Sequence, residues 1–140
     1  MKRFAILTTL ALFLAAPLAL AQTPAPAQKA KFIPPVKGLA TIEVQRSPSK
    51  RAGKEITTVV KIRNTSKGSI NLLRVDQFWY DRNSKQVSFG DYRHRKAPIQ
   101  PGEIVEFTIS APDNPQISHD AMIFAHANGK VDAKQVKKIQ

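Results

Sequence analysis

The sequence predicts an all-β chain folded as a single antiparallel β-sandwich of about seven strands. Three observations carry that prediction. Apolar and polar residues alternate in short runs, clusters of turn residues separate the runs, and nothing after residue 38 combines helical periodicity with caps. With no cysteine in the chain, an apolar interior has to hold the fold without covalent help.

In chain order, Lys2 and Arg3 precede an apolar run from Phe4 to Ala16, followed by Pro17 and the small-x-small triplet Ala19-Leu20-Ala21. That is the layout of a secretory signal peptide over residues 1–21, cut before Gln22. The run is shorter than the roughly 20 apolar residues that a spanning helix needs, so no transmembrane segment is expected after cleavage. A lipoprotein would need a cysteine at the cut, and there is none. The protein is therefore expected to be exported, to a bacterial periplasm or to the extracellular space. Taking 21 residues from 140 leaves 119, enough for one domain. Twenty-two basic residues against ten acidic ones give +12, and about +10 without Lys2 and Arg3.

Residues 22–38 carry Pro24, Pro26, Pro34 and Pro35 and predict an extended, semi-rigid linker, because proline fixes φ and removes a donor. Phe32, Ile33 and Val36 are its candidates for packing against the domain. The folded domain is expected over residues 39–140. Its first strand puts Ala40, Ile42 and Val44 on one face. The next puts Ile56, Thr58, Val60 and Ile62 together, and a third aligns Leu73, Val75, Gln77 and Trp79. Val105, Phe107 and Ile109 share a face later in the chain. Asn128-Gly129 is the best short hairpin signal, since both residues tolerate the positive φ of a type I′ turn. The terminal "AKQVKKIQ" reads as an edge strand or a short helix, with Lys134, Lys137 and Lys138 guarding an edge against aggregation. Pro101-Gly102 reads as a turn, and Asp81, opening "DRNSK", as an acceptor for backbone N–H groups ahead of it.

The run Phe78-Trp79-Tyr80 raises a choice between a binding surface and a core. Alternation sends Trp79 inward, where a tryptophan can remove about 150–250 Å² from water. It leaves Phe78 and Tyr80 on the opposite face with Arg74 and Asp76, as cross-strand partners.

Asn64, the "WYD" of Trp79-Tyr80-Asp81 and the "QPGEIVEFTI" of residues 100–109 together resemble bacterial extracytoplasmic FxLYD-type domains and the wider immunoglobulin- and fibronectin-like sandwiches. The resemblance spans roughly residues 39–130. It implies an immunoglobulin/fibronectin-like fold and a role in binding, adhesion or assembly, without catalysis.

Candidate chemistry is sparse. His126 and Met122 lie four residues apart in one strand, so they share a face, and with His119 they make the best metal candidate, a small copper or zinc carrier. No serine sits in a nucleophile elbow, and no P-loop, zinc-finger or dinucleotide spacing occurs, so neither a catalytic residue nor a cofactor is expected. Asn64-Thr65-Ser66 matches a glycosylation acceptor but reads as a turn asparagine at a strand end. The densest basic stretch is Tyr92, Arg93, His94, Arg95 and Lys96, the predicted binding loop, with Gly90 as a bulge beside it. Export makes nucleic acid an unexpected partner. A protein or an anionic cell-envelope component is expected instead, attracted over the screening length of about 8 Å at physiological salt. The sequence thus predicts a secreted or periplasmic binding or assembly module, with the metal carrier as the alternative.

Overall fold

A computed structural model describes residues 31–140; the expected signal peptide and residues 22–30 of the expected linker lie outside the described residues. Eight strands follow in order: β1 Ala40–Arg46, β2 Lys50–Ala52, β3 Glu55–Asn64, β4 Arg74–Tyr80, β5 Gln86–Arg93, β6 Ile104–Pro112, β7 His119–His126 and β8 Gly129–Gln135. Among the described residues no helix is long and apolar enough to cross a membrane.

The strands form one curled sheet in the order β2-β3-β1-β8-β7-β4-β5, with β6 on β3 as a branch. β1 pairs residues 60–64 of β3 and β2 pairs residues 55–57, while β6 runs along residues 55–63. One edge of β3 therefore carries β1 and β2, and the other carries β6. The expected purely antiparallel arrangement is corrected at β8, which lies parallel to β1 from Ala40↔Val131 to Val44↔Gln135. β8 is a strand and not a helix: β1 flanks its residues 131–135 and β7 joins it only at Gly129 and Lys130, so over residues 131–135 one side of β8 is an edge among the described residues, as the edge-strand reading expected. Its tail is docked, with Val136 N–H donating to Val44 O at 2.8 Å and the buried Ile139 donating its N–H to Gln45 Oε1 at 2.9 Å.

Alternation set the buried face strand by strand. Ala40, Ile42, Val44, Val60, Ile62, Leu73, Val75, Phe107 and Ile109 form one core with Ile70 and Ile99 from the connecting loops. Each valine, leucine, isoleucine or phenylalanine among them, fully buried, contributes about 1.5–3 kcal/mol of transfer free energy. Trp79 also points inward, 5% exposed, but it lies in a smaller cluster with Ile56, Ala111 and Ile117. On the outer face Phe78 meets Phe89 of β5 at 5.1 Å between ring centroids, and Tyr80 stacks on His119 at 5.4 Å.

Gly90 is not a bulge. It pairs in register with Gln77, and the ladder slips instead between Trp79 and Tyr80. Glycine is needed at 90 because β6 passes beneath β5: a Cβ there would lie 2.6 Å from Ser110 O. The β7–β8 turn also departs from expectation. His126 pairs with Gly129, so the two-residue loop is Ala127-Asn128, neither of which has positive φ, and a type I′ turn is excluded. Asn128 is held by the segment before β1: its O accepts from Gly38 N–H at 3.0 Å, and its Nδ2 donates to Val36 O at 3.2 Å. That segment is fastened again where Ser69 N–H donates to Pro34 O and Val36 N–H donates to Ser69 O. Val36 packs on the core and Phe32 is 82% exposed.

Candidate anion-binding site

β4 and β5 place the charged residues. Their register sets Arg74 opposite Arg93 and Asp76 opposite Asp91 on the outer face. Two guanidinium groups directly across a ladder repel one another unless acids intervene. Asp76 does so, its Oδ2 lying 3.0 Å from Arg74 Nε and its Oδ1 3.4 Å from Arg93 Nη2. Arg93 Nε also donates to Asp91 Oδ2 at 2.9 Å. The Asp76 side chain is 10% exposed and lies within ion-pair distance of both guanidinium groups, although its buried Oδ1 completes no hydrogen bond among the described residues, while 49% of Arg74 and 40% of Arg93 remain open.

Beyond Arg93 the chain leaves the sheet. His94 N–H donates to Leu73 O at 2.8 Å, which turns the loop over the end of β4. Leu72 adopts φ 49°, a left-handed conformation uncommon for a branched side chain, and stays 60% exposed. A hollow of about 360 Å³ results, lined by Leu72, Leu73, Arg74, Arg93, His94 and Arg95. Among the described residues Arg95 and Lys96 have no acidic partner within ion-pair distance, so positive charge exceeds negative around the hollow.

The five residues predicted as a binding loop therefore divide. Arg93, Arg95 and Lys96 are exposed. Tyr92 turns inward and stacks on Phe107 at 3.9 Å with the rings 5° apart, and burial raises its phenol above the usual pKa of 10.0. His94 is 5% exposed. Its Nε2 lies 3.1 Å from Ala97 O, which can only accept, so Nε2 carries the hydrogen and Nδ1 accepts from the Tyr92 hydroxyl at 3.0 Å. Tyr92 and His94 thus brace the loop and do not offer themselves to a ligand. Their equal parity was the available signal. Arg74 was missed because its place beside Arg93 depends on the β4–β5 register.

A planar, permanently charged pair of this kind suits carboxylate or phosphate oxygens, which each guanidinium can take two at a time. Both ring nitrogens of His94 in this hollow are already engaged by Tyr92 and Ala97.

The proposed metal ligands are not brought together. His126 Nε2 donates to Gly38 O at 2.8 Å and Nδ1 accepts from Asn128 N–H at 3.4 Å, leaving neither ring nitrogen open. His119 stands exposed against Tyr80 at the opposite end of β7, and Met122 packs partly buried on the core. The two histidines are seven residue steps apart along the strand, about 23 Å at roughly 3.3 Å per step. Among the described residues no three histidine, cysteine or acidic side chains are grouped to hold a metal ion.

Two other predicted positions are structural. Asn64, 1% exposed, donates from Nδ2 to Gly68 O at 3.0 Å and Ile99 O at 2.9 Å, and its Oδ1 accepts from Ser66 N–H at 2.9 Å. A buried amide so engaged is closed to glycosylation. Asp81 Oδ1 accepts from Asn83 and Lys85 N–H at 2.8 and 2.9 Å, as its turn position predicts. No family model and no curated protein matches the chain.

Proposed function

We propose that the protein is an exported, non-catalytic binding or assembly module that engages an anionic cell-envelope component through the arginine hollow. The observation that carries this reading is the pair Arg74 and Arg93, both within ion-pair distance of Asp76 and joined by Arg95 at one opening. An immunoglobulin/fibronectin-like sandwich, related to the FxLYD-type domains, is the fold that goes with this reading. In its favour, β3 runs between β1 and β6, β4 runs between β5 and β7, and side chains from both groups of strands share one core. Export rests on the leader-like residues 1–21.

The test exchanges Arg93→Gln, Arg95→Gln and Lys96→Gln together and measures retention on vesicles containing anionic lipid or on acidic glycans. Retention should drop at least tenfold while the fold, monitored by Trp79 emission, stays intact. Equal retention of the triple variant and the parent discards the proposal.

A further inference from the structure

β7 and β8 part directly after their turn. Only Ala125↔Lys130 and His126↔Gly129 pair; beyond them β8 follows β1, while β7 stays on β4 as far as Tyr80↔His119. Had the hairpin continued in register, Phe124 would face Val131 and Met122 would face Ala133. A cleft of about 510 Å³ opens there instead, floored by Val44, Met122, Phe124, Val131 and Ala133. At its far end Arg46 Nη2 meets Asp120 Oδ2 at 2.5 Å, tying β1 to β7 across the mouth.

Among the described residues each arm of this fork has one edge with no strand beside it, over residues 120–124 of β7 and 131–135 of β8. Such edges offer rows of backbone N–H and C=O groups, the template on which an extended chain adds as a strand. We propose that the fork is a docking groove for an extended segment of an acidic partner protein, inserted between β7 and β8.

Three features define that segment. The open edges demand an extended backbone. The floor demands apolar side chains at every second position, because strand side chains alternate between faces. The rim is basic: Lys130 and Lys134 are exposed on β8 and neither is in an ion pair among the described residues, Lys137 and Lys138 follow, and Asp132 is the one acid among them. The outward positions of the segment are therefore acidic, and a basic segment is repelled. The fork shares no residue with the arginine hollow, so either site can fail without the other.

The probe is a capped nonapeptide alternating valine and glutamate, added to the full chain while backbone hydrogen exchange is followed. Exchange should slow at least tenfold for amides within residues 120–124 and 131–135, and a peptide with lysine in place of glutamate should leave them unchanged. Ala133→Cys gives the chain a single thiol. The variant should respond like the parent before alkylation by N-ethylmaleimide and lose the response afterwards, with Trp79 emission unaltered. No slowing, equal slowing by the lysine peptide, or a response that survives alkylation overturns the proposal. So does protection already present without peptide: loss on dilution would mean that a second copy fills the fork, and persistence at every dilution that the chain closes the fork itself.

Discussion

The two buried clusters of this domain are built on different terms. The larger one, around Ile62, Leu73, Ile99 and Ile109, is built of aliphatic side chains with Phe107 and is closed at one end by Asn64, whose amide completes three hydrogen bonds. Asn71 Oδ1, between Ile70 and Leu73 in the chain, is buried without a partner among the described residues. The smaller one, around Trp79, sits beside a buried polar chain: Gln77 Nε2 donates to Thr58 Oγ1 at 3.1 Å and to Asp120 Oδ2 at 2.8 Å, and Thr58 Oγ1 lies 2.7 Å from Ser49 Oγ. That chain is incomplete, since among the described residues Gln77 Oε1 and Trp79 Nε1 are buried without partners. Burial alone therefore does not measure what a side chain contributes. The fully satisfied end should be the stiffer and more costly to disturb, because an unmatched buried polar group offsets part of the gain from the apolar surface around it.

Leu73→Ala should break the comparison most severely. Leu73 is 0% exposed in the larger core, and its loss should cost about 3 kcal/mol within the 2–5 kcal/mol range of such truncations, read as a lowered midpoint in urea. Asn64→Ala comes next, at about 2 kcal/mol, since it strands Gly68 O and the Ser66 amide at the sealed end. Ile99 O is spared because it also accepts from Ile70 N–H. Trp79→Phe should cost only about 1 kcal/mol: volume is lost, but so is an indole N–H with no partner among the described residues. A Trp79→Phe midpoint as low as that of Leu73→Ala would show that the two clusters are energetically alike and remove the distinction.

The strand faces were legible because facing is local. Leu73, Val75, Gln77 and Trp79 all turned inward, as did Ile56, Thr58, Val60 and Ile62, since period-two alternation needs no knowledge of the neighbour. Gln77 fits that rule too, although only its contacts with Thr58 and Asp120 explain why a polar residue is kept there. What did not read through was pairing. Every strand offers the same backbone groups, so nothing in "KVDAKQV" announces that β8 will leave β7 for a parallel partner some 90 residues earlier in the chain. The same limit hid the requirement at Gly90, which is imposed by Ser110, and the adjacency of Arg74 and Arg93. Turns with a local mechanism fared better. Gly102 takes φ 79° after Pro101, and Glu103 N–H closes on Gln100 O at 3.0 Å.

The smallest expected effect joins the larger core to the arginine hollow through Tyr92. Burial raises its phenol above 10.0, so the folded protein holds that proton more tightly than the unfolded chain does. The contribution is fully present below pH 10 and is lost as pH rises from there through the folded-state value, because the unfolded chain ionises first. Tyr92→Phe removes that dependence and also the hydroxyl's bond to His94, while keeping the ring that stacks on Phe107. The variant should therefore be slightly less stable than the parent at pH 8, and the gap should shrink above pH 10. Lysine ionisation is common to both chains and cancels in the difference. Urea midpoints of the two proteins at pH 8 and pH 10.5 decide it, and a gap of the same size at both pH values would show that the phenol ionises as freely in the fold as outside it.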